Sequence, residues 1–286
     1  MLILGIETSC DETSLALLEA KEGRFTLRKN LIFSQIKTHA KYGGVVPEAA
    51  ARAHVEKITP MLKDALGEKN KPDVIAVTAG PGLATALLVG VETARTLAYL
   101  WKKPLVAVNH LAGHIYANWL PKRHSEFISE SQGILKQVQD DTTKIRFPAL
   151  CLIISGGHTE LILMPEHLKY KLIGQTRDDA IGECFDKVGK ILGLPYPGGP
   201  EVAKHAAKGN SAAIKFPRPM IDSTDFDFSF SGLKTAVLYY CKSKRIDKGS
   251  FGLRPQDDKG RLARSDIKRR PDLTADICAS FQQACI

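Results

Sequence analysis

Asn109 to His114 reads N-H-L-A-G-H and sets two imidazoles, His110 and His114, four residues apart. On a helix that spacing places both side chains on one face, one turn apart, where they can share a metal ion. The residues just before, Pro104 to Val108, are an apolar run of strand length, so the pair stands where a strand gives way to a helix. Ligands and cofactors of α/β proteins collect at such junctions. Leu111 follows His110 where a zinc peptidase of the His-Glu-x-x-His type has its general base, so that chemistry is not indicated.

Three turns have residue types suited to anions. E-T-S-C-D-E-T-S at 7–14 offers hydroxyls and backbone N–H groups between two apolar runs. I-I-S-G-G-H-T-E at 153–160 has glycines that let a backbone come close to a ligand. P-Y-P-G-G-P at 195–200 leads into a helix whose first N–H groups lack helical partners. Each composition also suits a purely structural turn. Asp186 lies off the apolar stripe of its helix, so it is either an exposed charge or points into a cleft, and periodicity leaves both open. No Walker A pattern occurs, and no G-x-G-x-x-G follows a strand.

The elements that must carry these residues follow from alternation and period. Strands are expected at 2–6, 14–20, 24–34, 73–79 and 104–108, with helices from Pro47 to about Leu66 and from Gly82 to Trp101. Pro60 is expected to kink or divide the first helix. The order then restarts: strands at 147–154, 159–164 and 170–174, and a helix over 179–192 with the stripe Ile181, Phe185, Val188 and Leu192. This repeated order implies two lobes of one design, with ligand bound between them and the turns at 7–14 and 153–160 facing each other. An amphipathic helix begins at Leu273 and reaches Ile286 without a cap, which suggests a C-terminally truncated polypeptide.

With 286 residues the chain has room for one large or two moderate domains. It lacks an N-terminal secretory pattern and any apolar run long enough to cross a bilayer, so a cytoplasmic protein with no membrane association is expected. Six cysteines without Cys-x-x-Cys spacing read as small buried hydrophobes. The net charge of +9 invites a polyanionic partner, but +6 of it comes from Cys241 to Asp272, with 11 Lys or Arg against 5 Asp or Glu. Such a run is more often a solvated connector than a binding surface.

Eight motifs in order, G-I-E-T-S-C-D-E-T-S (5–14), K-Y-G-G-V-V-P-E (41–48), T-A-G-P-G-L (78–83), N-H-L-A-G-H (109–114), I-S-G-G-H-T-E (154–160), F-D-K (185–187), Y-P-G-G-P (196–200) and D-F-S-F-S-G-L-K-T (227–235), closely resemble the tRNA threonylcarbamoyladenosine transferase family, the TsaD group. The resemblance implies an α/β, two-lobed actin-like (sugar kinase/Hsp70-like, ASKHA) fold with duplicated ribonuclease H-like halves, the second incomplete here. The lobes are expected at 1–110 and 111–286, with a polar insertion at 121–146 and a basic linker at 242–272. The activity implied is transfer of threonylcarbamoyl from threonylcarbamoyl-AMP to N6 of the adenosine 3′ to the anticodon, in tRNAs reading codons that begin with A.

By the same resemblance, His110 and His114 correspond to metal ligands for one divalent ion, Fe2+ with Zn2+ or Mg2+ as alternatives. Ile153, Ile154, Ser155, Gly156, Gly157, Asp186 and Gly199 correspond to substrate-binding positions. No catalytic side chain beyond the metal site is implied, because the attacking amine belongs to the tRNA. Protein partners of the pathway, TsaB-like and TsaE-like, are implied as well. Family members continue with a segment bearing a substrate-binding Asn and a third ligand, Asp, so weak metal retention and little transfer are expected of these 286 residues in isolation. A non-catalytic binding subunit of the same fold and an ATP-using kinase of the superfamily are the competing readings.

Overall fold

Residues 1–67, 71–119, 145–244 and 271–286 are described by the computed structural model, and the chain divides into two units, Met1–Ile145 and Arg146–Ile286. Most of the segments 121–146 and 242–272 lies outside the described residues. Alternation of apolar and polar residues draws the start of the chain into three strands, β1 (Leu2–Glu7), β2 (Glu12–Lys21) and β3 (Arg24–Ser34). A short helix α1 (Ile36–Ala40), α2 (Pro47–Leu66), β4 (Val74–Gly80), α3 (Ala84–Trp101), β5 (Leu105–Asn109) and α4 (His110–Ala117) complete the first unit.

The sheet order is β3-β2-β1-β4-β5. The β1–β2 and β2–β3 pairs are antiparallel, whereas β4 runs parallel to β1 and β5 to β4. Leu4, Ile6, Leu15, Leu17, Ile75 and Val77 alternate into one face and are buried against Ile58, Ala65 and Leu66 of α2 and Ala94 of α3. Each such Leu or Ile contributes about 1.5–3 kcal/mol relative to exposure. Pro60 does not divide α2, which is one helix from Pro47 to Leu66. Helix α4 packs on β4 and β5, so the first unit extends past the division expected at residue 110.

The second unit opens in the same way, with β6 (Ala149–Ile154), β7 (Thr159–Met164) and β8 (Lys171–Gln175) in an antiparallel sheet of order β6-β7-β8. Among the described residues four helices follow: α5 (Ile181–Ile191), α6 (Gly198–Ala206), α7 (Ser231–Ser243) and α8 (Pro271–Cys285). Both units thus start with a three-stranded meander followed by helices, the α/β pattern of ribonuclease H-like halves. The stripe on α5 is realised: Val188 and Leu192 are buried, with Ile181 and Phe185 packed against them. Val202, Leu233, Val237, Ile277 and Phe281 bring α6, α7 and α8 into the same core. No described helix is long and apolar enough to cross a membrane.

Helix α7 starts with no cap of its own, since Phe230 precedes it. Asp178, far away in sequence, supplies one: Oδ1 accepts from the N–H groups of Phe230 and Ser231 at 2.8 and 3.1 Å, and Oδ2 from the Ser229 and Ser231 hydroxyls. What burial Asp178 has would raise its pKa, but these hydrogen bonds outweigh that and bring it down to about 2. A carboxylate depressed in the folded state stabilises above its ordinary value and loses that contribution as pH falls. Asp178→Ala should therefore lower stability by about 1–2 kcal/mol near neutrality. In urea titrations, the gap from the parent should close as pH drops from 3.8 toward about 2.

Candidate functional site

Asn109 is the N-cap of α4, its Oδ1 accepting from the N–H groups of Leu111 and Ala112 at 2.9 and 3.2 Å. The helix therefore starts at the end of β5, and His110 and His114 project one turn apart. Their Nε2 atoms are 3.1 Å apart, with ring centroids 4.5 Å apart and planes at 83°. Two imidazoles bound to one metal at about 2.0–2.1 Å each would have nitrogens about 2.9 Å apart at a right angle and about 3.4 Å apart at a tetrahedral angle. The observed separation lies between, so the pair fits one ion. Among the described residues, no group of three His, Cys, Asp or Glu side chains gathers at one point.

The far nitrogen of His110 is also held. Nδ1 lies 3.2 Å from Ser9 Oγ and 3.4 Å from Glu7 Oε2. A carboxylate and a hydroxyl behind an imidazole fix its tautomer and ring orientation, as the outer partners of metal-bound histidines do. Glu7 also accepts from the Ser9 N–H and the Thr78 hydroxyl. Burial raises the pKa of Glu7, but the hydrogen bonds from His110, Ser9 and Thr78 together prevail and hold it at about 2.

The 7–14 loop is a candidate anion cradle, but three of its four hydroxyls are engaged within the fold. Thr8 Oγ1 donates to the Ala86 carbonyl and accepts from the Gly90 N–H, Thr13 Oγ1 bonds His54, and Ser9 Oγ bonds His110. What faces outward includes Asp11 and Glu12, whose charge opposes an anion. Two glycines make room for this loop. A Cβ on Gly82 would come within 2.6 Å of the Ser9 carbonyl oxygen, and one on Gly90 would collide with the Thr8 hydroxyl. Neither they nor Glu7, Ser9 and Thr78 were singled out individually from sequence. The only signal for Glu7, Ser9, Thr78 and Gly82 is their membership in the motifs at 5–14 and 78–83, and Gly90 lies in neither.

The other candidate residues lie in the second unit, with α5 as their spine. Gly182 donates from its N–H to the Ser155 carbonyl at 3.1 Å, and a Cβ there would sit 2.6 Å from that oxygen. Thr159 Oγ1 accepts from the Ile181 N–H at 2.8 Å, tying the start of α5 to β7. One turn along from Gly182, Asp186 Oδ1 accepts from the Gly198 N–H at 2.7 Å, and Gly198 packs on the Asp186 backbone. Asp186 is thus half-buried at the start of α6, neither an exposed charge nor free of structural duty.

Ile153 is buried and Ile154 is 57% exposed on the opposite face of β6, so these two can meet a ligand from one side only through backbone. Ser155 Oγ takes the N–H groups of Gly157 and His158 at 3.3 and 3.0 Å. Added Cβ atoms on Gly156 and Gly157 would meet nothing within 4 Å, and one on Gly199 only Phe185 Cβ at 4.0 Å. None of the three has positive φ. The fold itself therefore does not require glycine at these positions, in contrast to Gly182 and Gly198.

The TsaD family model, described as tRNA N6-adenosine threonylcarbamoyltransferase, matches residues 26–129 and 127–286. A protein of that name from Thermomicrobium roseum is 51% identical over 242 residues, covering 83% of this chain and 61% of the relative. The one from Staphylococcus aureus strain Newman is 47% identical over 249 residues, covering 86% and 66%. The chain thus spans 61% to 66% of the length of these two relatives. Among solved structures, YeaZ from Pseudomonas aeruginosa is 15% identical with a TM-score of 0.35, covering 87% of this chain and 97% of that one. Glucokinase from an Antarctic psychrotroph is 16% identical with a TM-score of 0.36, covering 99% and 75%.

Proposed function

Because the chain belongs to the TsaD family of tRNA N6-adenosine threonylcarbamoyltransferases, we propose that it takes part in transferring threonylcarbamoyl from threonylcarbamoyl-AMP to N6 of the adenosine 3′ to the anticodon, in tRNAs reading codons that begin with A. In that reaction the N6–carbamoyl bond forms, the carbamoyl–phosphate bond breaks, N6 gives up a proton and AMP leaves. The observation that carries the reading is the pair of His110 and His114 nitrogens 3.1 Å apart, backed by Ser9 and Glu7.

His110 and His114 would hold the divalent ion, with Fe2+ the leading candidate and Zn2+ or Mg2+ the alternatives. Bound there, such an ion supplies Lewis-acid polarisation of the acyl donor. Ser9 and Glu7 keep His110 in the orientation that ligation requires. In the second unit, the backbone from Ile153 to Gly157 and the start of α6 at Gly199 approach the adenylate, and Asp186 bonds hydroxyls of its threonyl or ribose part. Lys and Arg of the 242–272 run are candidate contacts for tRNA phosphates. TsaB-like and TsaE-like proteins are the proposed partners, and the cytoplasm the proposed compartment.

Glycines that the fold does not need supply the test. Gly157→Ala should fold as well as the parent or gain about 0.4–1 kcal/mol from reduced freedom of the unfolded chain. Its affinity for a non-hydrolysable threonylcarbamoyl-adenylate analogue should nevertheless fall about tenfold or more, because the methyl group occupies ligand space. Calorimetric titration reads both chains. Equal affinities would contradict the cradle, and turnover of ATP without tRNA would favour the kinase reading.

A further inference from the structure

Behind the 7–14 loop lies a polar cluster with no contact to solvent: Thr13, His39 and His54 are 0% exposed and Gln35 1%. Buried polar groups cost stability unless each finds a partner, and here the partners determine the protonation of both rings. His54 Nε2 faces the Cys10 carbonyl at 3.0 Å, which can only accept, so Nε2 bears the hydrogen. His54 Nδ1 is then the acceptor for the Thr13 hydroxyl at 2.8 Å, with the Gln35 amide nitrogen 3.5 Å away. His39 Nδ1 accepts from the Val46 N–H at 3.3 Å, so its Nε2 donates to Gln35 Oε1 at 3.1 Å. The Gln35 amide group also reaches the Ala50 carbonyl at 3.4 Å, and its backbone N–H bonds the Asp11 carbonyl at 3.0 Å.

The chain of bonds closes only if both imidazoles are neutral with hydrogen on Nε2. It ties α1 and α2 to Cys10, Asp11 and Thr13 of the loop whose Ser9 bonds His110. We propose that Gln35, His39 and His54 are positioning residues: as an uncharged strut they hold the 7–14 loop, and through Ser9 the His110 ring, and protonation of His54 releases the loop. A proton on Nδ1 would reverse the bond to Thr13, strand that hydroxyl's hydrogen without an acceptor and set two N–H groups against each other at Gln35. Charged or titratable groups acting on His54 are Glu7 and Asp11 of the loop, which favour the imidazolium, and His39 of α1, which opposes a second charge. Burial is the largest influence and lowers the His54 pKa. With a depressed value, the stabilising contribution is complete above the unfolded-state pKa of 6.5 and is lost on the acid side.

The proposal stands on hydrogen bonds within the first unit and does not depend on the reaction assigned above. Measurements without metal, nucleotide or tRNA therefore separate its failure from failure of that reading. Amide hydrogen exchange, corrected for intrinsic rates, should show residues 8–14 opening about tenfold more at about pH 5.5 than at about pH 7.5, while β4 stays protected. His54→Gln, which keeps a donor for Cys10 but does not titrate, should abolish that difference. Equal protection of the loop at both pH values, or persistence of the acid effect in His54→Gln, would overturn the proposal. Should the variant not fold, imidazole nitrogen shifts of the unmodified protein decide: neutral rings protonated at Nε2 are expected at about pH 7.5, and an Nδ1–H tautomer or a charged His54 refutes the strut.

Discussion

His110→Ala is expected to lower the affinity of the chain for a divalent metal ion by at least about 100-fold, since loss of an outer-sphere partner alone costs 10- to 100-fold and this change removes a proposed ligand. Helix α4 should survive it. Asn109 caps the helix from outside the substituted position, and alanine is the better helix former. Thermal unfolding should consequently move little while competitive titration with Zn2+, or Fe2+ under anaerobic conditions, records the loss. An affinity unchanged by His110→Ala would place the metal elsewhere.

Gly82→Ala should damage the same centre without touching either imidazole. Its new Cβ would lie 2.6 Å from the Ser9 carbonyl oxygen and 2.7 Å from Ser9 Cβ, where the Leu83 N–H now bonds that oxygen at 2.7 Å. Backbone must shift, at a cost of about 1–3 kcal/mol. The shift carries Ser9 Oγ away from His110, so metal affinity should fall about tenfold, the effect of losing an orienting partner. Denaturant unfolding and metal titration on one preparation read the two effects together. A stability loss with unchanged affinity would show that Ser9 does not orient His110.

Local pattern explains which parts could be read in advance. The first two strands and the stripe on α5 declare themselves by period, because Leu4, Ile6, Leu15 and Leu17, and on α5 Val188 and Leu192, are buried along one face within their own unit. The imidazole pair was equally visible, since four residues along a helix is a local spacing. Its support was not: Ser9 and Glu7 stand 101 and 103 residues from His110, and only the parallel pairing of β1, β4 and β5 brings them together. Helix α7 was overlooked for a similar reason, because its cap is Asp178 and its apolar residues Leu233, Val237 and Cys241 have meaning only against α5 and α8. At Pro60 the helix continues where division was one expectation, and packing overrides the breaker, as Ile58, Ala65 and Leu66 bury α2 on both sides of it.

The hydroxyl-rich loop at 7–14 illustrates the opposite error. Composition presents four hydroxyls for a ligand, whereas the folded chain spends three of them, Thr8, Ser9 and Thr13, on Ala86, Gly90, His110 and His54. The glycines at 156, 157 and 199 are the converse: sequence could not separate them from turn-formers, and the structure finds no internal need for them.

X-ray absorption on the metal-loaded protein tests the central claim most directly, that two imidazoles at the start of α4 grip one ion. The account predicts scattering from two imidazole nitrogens at about 2.0–2.1 Å, dropping to one in His114→Ala. A coordination shell without imidazole, or one that His114→Ala leaves unaltered, would contradict it.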